Sequence, residues 1–174
     1  MELPKIEVKK ILYATDLSES ARRAFAYAVS LANLYKAKIT FLHVMSEDPT
    51  LDSRLAGYID ADKWEEIKRR NEEDARSILI GKQRKSGRSA IGEALGHFAE
   101  AARAEQDFGM DEIVVKRGNP VDVILAQAEE SNCDLIVMGT HGHGLIADAV
   151  MGSTARRVLR KSRKPVLVVR LAED

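Results

Sequence analysis

The sequence predicts an α/β domain: a doubly wound, five-stranded, mostly parallel sheet with helices on both faces. Three observations predict it. Five short apolar runs alternate with helical-period segments along the 174 residues, the order of repeated βαβ units. The runs are apolar almost continuously, as strands buried on both faces are. Directly after one of them, Asp134-Leu135-Ile136-Val137-Met138, comes the loop Gly139-Thr140-His141-Gly142, then Gly152-Ser153-Thr154 after nine residues. Glycine loops at strand carboxyl ends are where open α/β sheets bind ligands.

Lys10 to Ala14 is the first predicted strand, ended by Thr15-Asp16-Leu17-Ser18 with Ser18 as helix N-cap. From Ala21 to about Lys36 the residues Ala21, Ala24, Phe25, Ala28, Leu31, Ala32 and Tyr35 recur at helical spacing, the stripe of a helix packed on a sheet. Ile39 to Val44 is the second strand, closing a right-handed βαβ unit. Ala61–Ile80 and Ala90–Phe108 read as helices on either side of a basic hinge, Gly81 to Arg88. Trp64, Ile67, Ile78 and Leu79 mark the apolar side of the first, and Ile91, Leu95, Phe98 and Ala102 that of the second. Gly92 and Gly96 weaken the second by about 1 kcal/mol each unless close packing requires them.

Glu112 to Lys116 is the third strand. Arg117-Gly118-Asn119-Pro120 then turns into a helix carrying Val121, Ile124, Leu125 and Ala128, with Pro in the first turn where its missing N–H costs nothing. Asp134 to Met138 is the fourth strand. Ser153 to Ser162 is a helix with Val158 and Leu159 inward, and Pro165 to Val169 is the fifth strand. Residues 1–174 are expected to form a single domain.

Charge is balanced, with 27 basic and 27 acidic residues, so no overall field steers the chain to nucleic acid or an anionic membrane. The N-terminus lacks a signal-peptide apolar core, and no run approaches the ~20 apolar residues that span a bilayer. The expectation is a cytoplasmic protein with no nucleic-acid or membrane partner. The single Cys133 excludes an internal disulfide and reads as a small buried hydrophobe.

The loop after the fourth strand reads as a phosphate cradle: glycines admit an anion to backbone N–H groups, and a helix from Ser153 adds its positive dipole end. Asp16 lies beside that loop if the first and fourth strands are neighbours. Its carboxylate then either accepts hydrogen bonds from a ribose or adenine, or caps the Ala21 helix. His43, ending the second strand, reads as a packed histidine, with no orienting acid in view. His141 and His143 lie within the loop, but two histidines one residue apart make no zinc site. The clusters Lys82, Arg84, Lys85, Arg88 and Arg156, Arg157, Arg160, Lys161, Arg163, Lys164 lack the aromatic interleaving of a single-strand nucleic-acid platform.

Three pieces of this chain resemble the universal stress protein family. They are Ile11-Leu12-Tyr13-Ala14-Thr15-Asp16-Leu17-Ser18, the turn Gly118-Asn119-Pro120, and Gly139-x-x-Gly142-x9-Gly152-Ser153, the last similar to the motif of the family's ATP-binding branch. The resemblance implies a Rossmann-like, adenine nucleotide alpha hydrolase-like fold that binds ATP, or AMP or ADP, and forms a homodimer through Val166 to Val169. It implies that Ala14, Thr15 and Asp16 meet the nucleoside and that Val44 meets the adenine through its backbone. Met138, Gly139, Thr140, His141 and Gly142 would meet ribose and phosphates, and Gly152, Ser153 and Thr154 the phosphate tail. No catalytic residue is implied, and whether Mg²⁺ accompanies the nucleotide stays open. The departure from the family pattern is the long stretch from Glu47 to Asp111, with a helical insertion expected around 61–108. Histidines replace the basic residues common in the loop of relatives, so phosphate affinity is expected to depend on pH. The expected role is a nucleotide-responsive stress module that signals to a protein partner. The alternatives are a slow ATPase or phosphotransferase, for which no Walker-type loop is present, and a scaffold that has lost its ligand.

Overall fold

In a computed structural model, the structure describes residues 3–45, 55, 57–79, 90–140 and 151–170, with backbone alone for 71–79 and 90. Among the described residues, five strands and five helices follow one another: β1 (Lys10–Thr15), α1 (Glu19–Tyr35), β2 (Lys38–Met45), α2 (Ala61–Leu79), α3 (Ala90–Glu105), β3 (Gly109–Arg117), α4 (Pro120–Glu130), β4 (Leu135–Gly139), α5 (Ser153–Lys161) and β5 (Val166–Val169). The sheet order is β3-β2-β1-β4-β5, and every pairing is parallel. The expected doubly wound α/β sheet is therefore the observed one.

Strand alternation divides the core. Ile11, Tyr13, Ile39, Phe41 and Val137 join α1 residues Ala24, Phe25, Ala28 and Val29 on one face, with Ala99 and Phe108. Leu12, Ala14, Leu42, Ile136 and Met138 meet Val121, Ile124 and Ala128 of α4 and Ala155 and Val158 of α5 on the other. Adjacent strand residues point to opposite faces, so each central strand must be apolar throughout. Cys133 is buried in the second cluster, as expected. Burial pushes its thiol up to about 11.

Local signals set the helix starts. Ser18 caps α1 by accepting from Ala21 N at 3.1 Å. Asn119 caps α4, accepting from Val121 N at 3.0 Å, with Pro120 at the start of the helix. Gly118 has φ +141°, a conformation that strains any residue with a Cβ.

Four expectations are corrected. Tyr35 and Leu159 are 46% and 41% exposed, because each lies at the margin of a stripe whose inward positions are held by Ala28, Val29 and Ala32 in α1 and Ala155 and Val158 in α5. Helix α3 ends at Glu105, and Phe108 is instead buried in the turn into β3, its ring centroid 5.7 Å from that of Phe25. Strand β3 begins at Gly109, three residues before the apolar run. As an edge strand it is specified there by pairing with β2, from Lys38↔Gly109, rather than by burial. The Gly81–Arg88 hinge and the side chains of Ile78 and Leu79 lie outside the described residues.

The long segment after β2 builds a third cluster. Leu55, Tyr58, Trp64, Ile67, Ile91, Ala94 and Leu95 are buried together around Leu17. Arg70 of α2 pairs with Glu93 of α3, so these helices form one layer over the start of α1.

Candidate functional site

The chain's winding reverses between β1 and β4, the neighbouring central strands from which connections run to opposite edges. The carboxyl ends of such strands diverge into a crevice. Ala14 pairs with Met138 in register, so the turns that begin at Thr15 and Gly139 leave the sheet side by side. The condition on which Asp16 was expected to lie near the glycine loop is met.

The β1 turn is locally braced. Asp16 Oδ1 accepts from Ser18 N at 3.0 Å, closing a local turn one residue before the helix; the cap of α1 is Ser18 and not Asp16. Asp16 is half-buried at the sheet's carboxyl edge. Thr15 is buried; its Oγ1 accepts from Leu17 N at 3.0 Å and lies 3.1 Å from Tyr58 Oη. Its carbonyl takes a hydrogen bond from His43 Nδ1 at 2.9 Å. Since a carbonyl can only accept, Nδ1 carries the proton, and His43, 4% exposed, is the packed histidine expected. Val44 is half-exposed near the end of β2.

Met138 is buried, and Gly139 ends β4 against the first turn of α1. A Cβ on Gly139 would lie 2.4 Å from Ser20 Oγ and 2.8 Å from Ser20 C. Glycine is thus required here by packing, a reason distinct from anion approach. Thr140 is buried, with its N–H donating to Val169 O at 2.9 Å. The chain then returns: Gly152 N donates to Thr140 O at 2.7 Å. His141, Gly142 and His143 lie outside the described residues.

That closure delivers the N-terminus of α5 to the carboxyl end of β4. Arg156 N to Gly152 O, 3.1 Å, is the first intrahelical bond, so the N–H groups of Ser153, Thr154 and Ala155 precede the ladder. Gly152 supplies no side-chain cap, and the first turn has no acidic residue. Ser153 is exposed and Thr154 half-buried. A helix start of this kind, without a side-chain cap from Gly152, has the donors and dipole sign to receive an anion.

Sequence reasoning missed Tyr58, the hydroxyl that meets Thr15, and the positive φ of Leu17, +64°. A polar-ended aromatic between two turn-rich stretches gave no periodic signal that could have found it. No group of three or more His, Cys, Asp or Glu side chains that could hold a metal occurs among the described residues. No described helix is long and apolar enough to cross a membrane.

A parallel sheet with this order, a crevice at its reversal point and a helix start returned to that point together define a doubly wound α/β protein of the switch-point type. The family model described as "Universal stress protein family" matches residues 7–170, and the chain belongs to that family. Universal stress protein MJ0577 of Methanocaldococcus jannaschii is 31% identical, over 93% of this chain and 94% of its own. A solved structure of MJ0577 has a TM-score of 0.66 at 25% identity, over 97% of this chain and all of its own. Two further structures show the same fold. One is a universal stress protein in complex with cAMP, with a TM-score of 0.58, 22% identity and 95% and 98% coverage. The other is a universal stress family protein from Arabidopsis thaliana with AMP bound, with a TM-score of 0.53, 18% identity and 95% and 94% coverage.

Proposed function

We propose that this protein binds an adenine nucleotide, ATP in the first place, in the β1–β4 crevice and acts as a nucleotide-responsive regulatory module. The observation that carries this reading is the Gly152–Thr140 hydrogen bond, 2.7 Å. It returns the start of α5 to the carboxyl end of β4, the strand paired with β1, whose own turn carries Asp16, and so supports a site with an anion-accepting helix end and a carboxylate. The bound cAMP and AMP of the two related structures lend support.

In this reading Asp16, with Ala14 and Thr15, meets the nucleoside, and the backbone of Val44 reads the adenine. Met138 to Gly142 follow the ribose and phosphates, while Gly152, Ser153 and Thr154 take the phosphate tail through N–H and hydroxyl groups. Mg²⁺ would arrive with the triphosphate and neutralise part of its charge. Occupancy can signal only by favouring one conformation or assembly over another. The place of β5 at the edge of the sheet suits a homodimer, because an edge of four apolar residues, unpaired among the described residues, calls for pairing or cover. The compartment proposed is the cytoplasm.

The test is acid extraction of the purified protein, with chromatography of any released nucleotide, followed by calorimetric titration of stripped protein with ATP and Mg²⁺. Saturable binding with ATP intact after hours supports the module. Steady release of ADP or AMP would make the protein an enzyme, and absence of both nucleotide and binding heat would make it a scaffold. Gly142→Val should abolish binding while the fold, followed by circular dichroism, persists. Unchanged affinity in that variant would move the site elsewhere.

A further inference from the structure

We propose that Tyr58 is a positioning residue for the crevice: acting through Thr15 and Ser18, it holds the β1–α1 turn in shape and couples the α2–α3 layer to nucleotide binding. This rests on the adenine-nucleotide reading above. Tyr58 lies in the segment between β2 and α2.

Its hydroxyl, on a residue 6% exposed, lies 3.1 Å from Thr15 Oγ1, 3.3 Å from Tyr13 Oη and 3.3 Å from Ser18 O. All three partners belong to β1 or the turn that follows it. Counting protons orders the chain. Tyr13 Oη donates its hydrogen to Ala21 O at 2.8 Å. The Ser18 carbonyl can only accept, so Tyr58 gives its single hydrogen there, and the Thr15 hydroxyl, which accepts from Leu17 N, donates to Tyr58; the 3.3 Å approach of Tyr13 Oη to Tyr58 Oη then carries no proton. Burial raises the Tyr58 and Tyr13 hydroxyls above their ordinary pKa, so both keep the hydrogens this order needs.

The turn needs bracing. Leu17 has φ +64°, a region that a branched residue occupies only when its surroundings over-determine it. Leu17 is 2% exposed among Trp64, Ile67 and Leu95. Arg22 donates to Gly57 O at 2.8 Å, a second tie between α1 and the same segment. The Asp16 carboxylate sits between Thr15 and Leu17, so its direction follows theirs. If the α2–α3 layer fixes the turn, nucleotide bound to the turn must by linkage stabilise that layer.

The experiment is calorimetry with ATP and Mg²⁺ on the full chain, Tyr58→Phe, Thr15→Val and the double variant. Ile67→Val serves as a control that trims the same apolar cluster without touching the hydroxyls. Tyr58→Phe and Thr15→Val should each weaken ATP about fivefold, the equivalent of one buried hydrogen bond. The double variant should be no weaker than the weaker single, because both remove one chain. Ile67→Val should lower the melting temperature and leave affinity unchanged. In the unmodified protein, ATP should slow amide exchange at Leu17 and Tyr58. Wild-type affinity in Tyr58→Phe, additive losses in the double variant, an equal loss in Ile67→Val, or unaltered exchange at both amides would each overturn the proposal while leaving the nucleotide reading intact. No ATP binding by the unmodified protein would overturn both.

Discussion

Replacing Gly139 with Ala asks whether the crevice's first glycine serves packing. An added methyl would stand 2.4 Å from Ser20 Oγ, 2.8 Å from Ser20 C and 2.9 Å from Ala21 N. Rotating the Ser20 hydroxyl relieves the first contact, but the other two are backbone of α1's opening turn. That helix cannot back away freely, since Ala21, Ala24, Phe25 and Ala28 are buried against the sheet. Overpacking of this sort costs ~1–3 kcal/mol, and the stiffer unfolded chain returns about 0.5 kcal/mol. A net loss of about 1.5 kcal/mol lowers the melting temperature of a domain this size by about 3–6 °C. The assay is thermal unfolding followed by circular dichroism, with urea titration to read the midpoint at constant slope. Gly96→Ala is the control. There the new methyl would meet Ile113 Cδ1 at 3.6 Å, an ordinary contact, and a helix interior gains about 0.5–1 kcal/mol from the exchange. A Gly139→Ala protein melting within about 1 °C of the parent, well inside the shift expected for this size, would refute the packing argument.

Gly118→Ala should cost about 1–3 kcal/mol, because φ +141° is closed to alanine and the methyl would also lie 3.1 Å from Val123 Cγ2; a urea midpoint equal to the parent's would contradict it. Cys133 should resist thiol reagents at pH 8 in the folded protein and react once unfolded, because burial holds its thiol near 11 against an ordinary 9.0. The same shift has a sign in stability. Below pH 9 the thiol is neutral in both states and the contribution is complete; as pH rises towards 11 the unfolded thiol ionises first and stability falls. Urea titrations of Cys133→Ala should show a shallower decline across that window than the parent. Tyr13 and Tyr58 add losses of the same sign from about pH 10 upward.

Much of the candidate site was legible because its parts are local. The Ser18 cap and the Gly118-Asn119-Pro120 turn are each specified within a few residues, by the hydrogen bonds and dihedral angles that those residue types allow. What the site has beyond them joins distant segments. Thr15 and Tyr58 are 43 positions apart, and no periodicity links them. Leu17 looked like an ordinary turn residue, yet it is the point on which a third apolar cluster closes. Gly139 looked like a phosphate glycine, yet Ser20 also requires its missing Cβ.

The sequence by itself determined which segments are strands and helices and the order in which they alternate, because side-chain periodicity and backbone caps act over a few residues. Only the tertiary structure decided that β1 lies between β2 and β4, that Gly152 returns to Thr140, and that the segment after β2 folds back onto the β1 turn. Those outcomes depend on which apolar faces bury one another and which hydroxyls find partners once water is excluded, and such contacts form between residues that the chain itself keeps far apart.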